Sequence, residues 1–408
     1  MKKYEVLKKY YGYEYLKKEQ EEIIDNVLSK KNTIGLLPTG FGKSLTFQIP
    51  ALIFEGLTIV ITPLISLMYD QVESLKKKNI CARYINSTQT KEEQDKIYYE
   101  LISNKVKLLY VSAERLESNY FLSQIKKIKI DFLVIDEAHT LLWSEDFRIS
   151  LGHIPNFIKY LGYNPTILAL TATATNKTLE KIINLVKLND PKIIECSCDR
   201  ENIYYRIIRT NRKDEELLNI LVSHKGQRGI IYTLTIKTAQ KLYIKLKNLG
   251  FSVGIYHGSL SKEEKNNMQA LYSKRLIDFI VCTSSFGMGV DYPDVRFVVE
   301  YDIPQSVEDF VQQTGRGSRD GKYAEGIVLF SLDDIKTANY FIENIRNNEK
   351  TNKELDLIKK DRFKKLDSMI ELCLTRKCIH QYICNYFNQS HNGRCNMCYN
   401  CKKKITIE

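Results

Sequence analysis

The sequence has no run near the ~18 consecutive apolar residues that a membrane-spanning helix requires. It also has no low-complexity tract and no short-period repeat, which argues against a disordered linker or a solenoid. The N-terminus, Met1-Lys2-Lys3-Tyr4-Glu5, mixes both charges and leads into no apolar core, so it does not read as a secretory signal. A cytoplasmic location and no membrane partner are expected. Tryptophan occurs once, at Trp143, and acid is in deficit, with 49 Asp and Glu against 61 Lys and Arg, a net charge of +12. That balance favours polyanionic partners, although solvated surface lysines from a biased composition would give the same excess.

What is present is globular composition, 43% hydrophobic and 27% charged, in a 408-residue chain that suits two to three domains. From about residue 20 to 200, helix-like segments alternate with short apolar runs at Leu57–Ile61, Lys107–Val111, Phe132–Ile135 and Thr166–Leu170. This is the pattern of a parallel α/β sheet, which binds ligands beyond the carboxyl ends of its strands. A break near Asp190-Pro191 precedes a second series, Gly229–Tyr232, Ser252–Tyr256, Asp278–Cys282, Val295–Glu300 and Gly326–Phe330. After Ser331 the chain turns helical, charged and then cysteine-rich.

Leu37-Pro38-Thr39-Gly40-Phe41-Gly42-Lys43-Ser44 follows the apolar Ile34–Leu37 and opens a helical stretch. It reads as a phosphate loop: Thr39, Gly40 and Gly42 turn backbone N–H groups toward phosphate, Lys43 neutralises β/γ charge, and Ser44 ligates Mg²⁺ at a helix N-terminus. Ninety-three residues after Lys43, the apolar run Phe132–Ile135 ends in Asp136-Glu137-Ala138-His139. Two acids there suit a Mg²⁺–nucleotide site, Asp136 holding the metal and Glu137 activating the attacking water. In the second series, Gln312-Gln313-Thr314-Gly315-Arg316-Gly317-Ser318-Arg319 offers two arginines three apart, expected on a helix, as arginine fingers to the γ-phosphate. Near the end, Cys378-x₁₆-Cys395-x₂-Cys398-x₂-Cys401 supplies four thiolates for a closed, structural tetrahedral zinc site, with His380, Cys384 and His391 as lower-ranked alternates.

Taken in order from about residue 8 to 401, these segments resemble the RecQ family of superfamily 2 DNA helicases. The resemblance implies two RecA-like α/β lobes with parallel sheets, at residues 1–205 and 206–345, then a helical zinc-binding module at 346–408. It implies that Tyr13, Lys17 and Gln20 recognise adenine, that His139, Asp291 and Gln312 lie with the nucleotide, and that Thr62, Pro63 and Ser66 contact one DNA strand. Trp143, Phe147 and Arg148 match the aromatic-rich loop that links single-strand contact to ATP hydrolysis, where an aromatic face stacks on bases without reading sequence. Ala169–Ala174, Tyr256-His257-Gly258 and Ser285–Asp291 look like further motifs of the family.

The function expected is an ATP-, Mg²⁺- and Zn²⁺-dependent DNA helicase in repair or recombination, moving 3′ to 5′ on single-stranded DNA and opening fork or tailed duplexes. The match implies a short form without winged-helix and further helical domains, which leaves three rivals open. These are a translocase that does not unwind, an RNA helicase, and a non-catalytic DNA-binding adaptor.

Overall fold

The computed structural model describes residues 2–38, 40–63, 65–138, 145–172, 174–286, 292–346 and 351–403, but not the side chains of 65–67, 145–152 and 403. The chain divides into two compact units, the first running to Ser197 and the second from Cys198.

The first unit holds strands β1 (Thr33–Leu36), β2 (Leu57–Ile61), β3 (Ala82–Ile85), β4 (Leu108–Val111), β5 (Ile130–Ile135), β6 (Thr166–Thr171) and β7 (Lys192–Glu195). They form one sheet in the order β3-β4-β2-β5-β6-β1-β7, every pair parallel. The central strands β1, β2, β4 and β6 are buried at every position, because helices cover both faces of a parallel sheet. That double burial is why they read in the sequence as continuous apolar runs. One core lies on each face, around Ile59, Leu109 and Leu133 on one side and Val60, Tyr110 and Phe132 on the other.

The second unit holds β8 (Ile203–Arg209), β9 (Arg228–Tyr232), β10 (Val253–Tyr256), β11 (Phe279–Cys282), β12 (Val295–Glu300) and β13 (Ala324–Phe330), in the order β10-β11-β9-β12-β13-β8, again all parallel. The helices Leu332–Glu343, Asn352–Leu374, Ile379–Tyr386 and Tyr399–Lys403 follow. The 23-residue helix is capped by the preceding Thr351, whose hydroxyl accepts the Glu354 N–H while Glu354 accepts from the Thr351 backbone, a reciprocal cap. Leu366, Met369, Leu372, Ile379 and Ile383 pack into the same core as Tyr205, Phe310 and Val328, so the C-terminal helices share one face of the second sheet. Edge strand β8 is tied to this segment by the Tyr205 N–H, which donates to the Met397 carbonyl at 3.2 Å. Among the described residues, no helix is long and apolar enough to cross a membrane.

Candidate nucleotide site and cysteine cluster

The phosphate loop joins β1 to the helix Lys43–Ile53, and Gly42 precedes that helix with φ +88°, a left-handed conformation that suits glycine. A β-carbon there would lie 2.5 Å from Gln20 Nε2, so the loop also needs glycine for close approach. Gln20, almost fully buried on the helix Lys18–Leu28, donates through Nε2 to the Phe41 and Gly42 carbonyls at 2.8 and 3.3 Å. Its Oε1 accepts the Lys17 backbone N–H at 3.0 Å. Lys17 Nζ stands 4.1 Å from the centre of the Phe41 ring, a cation–π contact across the loop. Tyr13 is 58% exposed, leaving its ring face open to a ligand.

The acid pair follows β5, which lies between β2 and β6. The Asp136 N–H donates to the Ile61 carbonyl and the Ala138 N–H to the Leu170 carbonyl, so both neighbouring strands pin the turn. Glu137 adopts φ +51° and its N–H donates to Asp136 Oδ1 at 3.0 Å. A non-glycine residue in that region is uncommon and costs of order 1 kcal/mol or more, which a functional turn sustains when its surroundings fix it. The result is a 2.7 Å ion pair between Lys43 Nζ and Glu137 Oε1, bringing loop and acid turn to one point. Burial pushes the Asp136 carboxyl up to about 6, with the Glu137 charge adding and the Lys43 ammonium opposing. Such an acid, acted on by the half-buried Lys43 ammonium whose neighbour in the chain is the half-buried Ser44, has the chemistry of a divalent-cation ligand.

Thr62 is fully buried at the end of β2, while Pro63 is part-exposed. Thr39, His139, Trp143 and Asp291 lie outside the described residues, as do the side chains of Ser66, Phe147 and Arg148.

In the second unit the helix Val307–Thr314 ends at Gly315, so Arg316 and Arg319 lie beyond it and not on it, a correction to the sequence expectation. Gly315, Gly317 and Ser318, the last at φ +58°, break the helix. The turn is held from outside: the Ser318 N–H donates to the Val295 carbonyl at 2.9 Å, and Asn202 Nδ2 donates to the Ser318 carbonyl and hydroxyl at 3.1 and 2.6 Å. Arg316 is buried, Gln312 and Arg319 half-buried.

The sulfur atoms of Cys378, Cys395, Cys398 and Cys401 lie within 4.8 Å of one another. Backbone N–H groups already point at two of them, Met397 to Cys395 Sγ at 3.3 Å and Ile379 to Cys398 Sγ at 3.5 Å, which stabilises thiolates. Hydrogen bonds from Cys395 and Cys398 pull the Cys378 thiol well below its ordinary value, while sharing those protons pushes its neighbours up. A divalent cation replaces such protons, and four thiolates suit zinc. The alternates are engaged elsewhere. His380 Nδ1 is 2.5 Å from Asp199 Oδ1, His391 Nε2 is 3.4 Å from Asp199 Oδ2, and Cys384 Sγ is 3.7 Å from Cys198 Sγ.

Two residues here were given no role by the sequence: Phe41, which stands inside the phosphate loop, and Asp199, which stands in no motif.

Two parallel-sheet units, the first with a phosphate loop facing an acid turn, define a RecA-like motor of the helicase class. Residues 17–182 match the DEAD/DEAH box helicase family, residues 212–321 the helicase conserved C-terminal domain, and residues 332–402 the RecQ zinc-binding family. The chain is 37% identical over 398 residues to the ATP-dependent DNA helicase RecQ of Bacillus subtilis (strain 168), covering 97% of this chain and 66% of that protein. It is 36% identical over 345 residues to the probable ATP-dependent DNA helicase RecS of the same organism, covering 83% of this chain and 69% of that one. The solved structure of S. cerevisiae Dbp5 bound to RNA and ADP BeF3 shares the fold, with a TM-score of 0.65 at 19% identity over 89% of this chain and 97% of that one. The chain belongs to the RecQ family of helicases, and it spans just under two thirds of the length of the B. subtilis RecQ protein.

Proposed function

We propose that this chain is an ATP-dependent DNA helicase that couples Mg²⁺–ATP hydrolysis to 3′–5′ movement on single-stranded DNA and to duplex opening, in repair or recombination. The 2.7 Å pairing of Lys43 with Glu137 is the observation that carries the reading, because it sets a phosphate-binding cation and a general base at one point. In this reading Gly40 and Gly42 present backbone N–H groups to the phosphates, with Thr39 beside them, and Lys43 binds the β/γ oxygens. Tyr13 stacks on adenine and Gln20 reads its edge, with Lys17 beside them. Glu137, released from Lys43 by the incoming phosphates, takes the proton of the attacking water. Ser44 and Asp136 would hold Mg²⁺, which supplies charge neutralisation for the phosphates.

Arg316 and Arg319 carry positive charge to the γ-phosphate, with Gln312, His139 and Asp291 lining the nucleotide. Thr62, Pro63 and Ser66 contact the tracked strand, and Trp143, Phe147 and Arg148 link that contact to turnover. Cys378, Cys395, Cys398 and Cys401 would hold a structural Zn²⁺, which cross-links the C-terminal helices.

The test is ATP turnover with Mg²⁺, alone, with single-stranded DNA and with RNA, beside displacement of a strand from a 3′-tailed duplex. Stimulation by DNA with displacement supports the reading. Stimulation without displacement leaves a translocase, preference for RNA an RNA helicase, and no turnover that Glu137→Gln lowers an adaptor.

A further inference from the structure

Strand register places three residues side by side at the carboxyl end of the second sheet. Cys282 ends β11, Tyr232 ends β9 and Glu300 ends β12, and the pairing is Cys282 with Tyr232 and Tyr232 with Glu300. Residues in register across parallel strands point to the same face. All three are buried, and the Arg316 guanidinium, itself buried, acts electrostatically on each of them. The turn that carries it leaves from Gln313, whose carbonyl accepts the Arg316 N–H at 3.1 Å. Glu300 is the one acid in the row. Gln313, one residue before the end of its helix, faces it: with the amide nitrogen turned toward the carboxylate, it donates to both oxygens at 2.8 and 2.9 Å.

A buried carboxylate that accepts from the Gln313 amide with both oxygens fixes the helix end from which the Arg316 turn leaves. We propose that Glu300, oriented by Gln313, is the positioning residue that holds Arg316 in register for the γ-phosphate. The inference rests on the role given to Arg316 above. Glu300 does not touch the nucleotide; it acts through Arg316 alone.

The environment adds a second readout. Burial, with Asp309 from the helix Val307–Thr314 and Asp302 from the segment after β12, pushes the Glu300 carboxyl well above its ordinary value, and Arg316 pulls it back. Tyr232 from β9 and Cys282 from β11 are the other titratable groups facing it. Glu300 therefore gains its charge, and its hold on Arg316, at higher pH than an ordinary glutamate, so its protonation lowers turnover on the acid side.

The experiment compares DNA-stimulated ATPase of wild type, Glu300→Gln, Glu300→Asp, Gln313→Met and Arg316→Ala across pH, with thermal unfolding of each. Misplacing a transition-state cation costs about tenfold to a hundredfold in rate. Glu300→Gln is expected to lose kcat by that factor with KM for ATP changed less than about threefold, and its kcat–pH profile is expected to lose an acid limb that wild type shows. Glu300→Asp should restore part of kcat. Gln313→Met keeps the acid but not its orientation, so it should lower kcat even if Glu300→Gln fails to fold. A folded Glu300→Gln with wild-type kcat and pH profile overturns the inference, provided Arg316→Ala abolishes turnover. If Arg316→Ala hydrolyses ATP normally, the role of Arg316 fails first and the inference with it.

Discussion

Glu137→Gln is expected to move nucleotide binding and hydrolysis in opposite directions. In the structure the Glu137 carboxylate neutralises Lys43 at 2.7 Å, with the two side chains 13% and 20% exposed for lysine and glutamate. A hydrogen bond to a charged group is worth about 1.5–3 kcal/mol, against about 0.5–1.5 kcal/mol for a neutral one. Phosphate must displace this pairing, so glutamine, which keeps the shape but not the charge, makes displacement easier by about 1–1.5 kcal/mol. That corresponds to roughly tenfold tighter ATP binding. The same substitution removes the proton acceptor for the attacking water, so kcat should fall by about 10²–10⁴-fold. Titration with a fluorescent ATP analogue gives the first quantity and phosphate release under saturating DNA the second. Weaker binding together with preserved turnover would refute both the exchange of Glu137 for phosphate and its role as base.

Other predictions follow from separate features. Gly42→Ala places a methyl 2.5 Å from Gln20 Nε2 at φ +88°, which costs about 1–2 kcal/mol in backbone strain and displaces the Gln20 cap; ATP affinity should fall at least about tenfold, read by nucleotide titration. Cys395→Ser should lower bound zinc in metal analysis and reduce Tm, because the cysteine cluster shares a core with the second sheet; retained zinc and an unchanged Tm would place the metal elsewhere. Gly229→Ala would drive a methyl into the Phe297 ring, an overpacking cost of about 1–3 kcal/mol or more. At about 2–4 °C per kcal/mol for a unit of this size, thermal unfolding should show a drop of several degrees. Trp143→Ala, argued from the sequence, should keep basal ATPase and lose its stimulation by single-stranded DNA.

The strands legible in the sequence are mainly those covered on both faces. Leu57–Ile61 and Val295–Glu300 were expected with the bounds they have; the first is buried at every position and leaves a nearly continuous apolar run, and the second is broken only by the part-buried Arg296 before its terminal acid. The strands that left no such trace are sheet edges. β3 carries Arg83 and Tyr84 at half-buried positions, β7 reads Lys-Ile-Ile-Glu with one buried residue, and β8 interrupts its apolar run with Arg206. An edge strand is paired on one side only, so its composition is freer. The site divides the same way. Lys43, Glu137 and the four cysteines stand in short spacings whose chemistry is local, whereas Glu300 and Gln313 meet only through strand register and a helix end. Phe41 was visible in the phosphate loop, but nothing in its position announces the Lys17 ammonium over its ring.

The two units solve one electrostatic problem in one way. In the proposed function each unit keeps a cation for phosphate in place while no phosphate is there, and in the first an unpaired charge at Lys43 would cost several kcal/mol. In the first unit the solution is an acid in the turn after β5, the strand paired between β2 and β6. In the second unit the acid ending β12, the strand paired between β9 and β13, holds Gln313 and, through it, the turn that carries Arg316. Both acids stand at carboxyl ends of central parallel strands, where the backbone is held on both sides and the position is fixed to within a hydrogen bond. They differ in what binding asks of them. In the proposed function Glu137 lets go of Lys43 to act on water, and it stands in a turn at φ +51° beyond its strand, 94 residues along the chain from its partner. Glu300, in the inference above, keeps the Arg316 turn in place throughout, and it ends its strand clamped by both oxygens to Gln313. Substitution at the first acid should therefore change ATP affinity and turnover together, and at the second turnover alone.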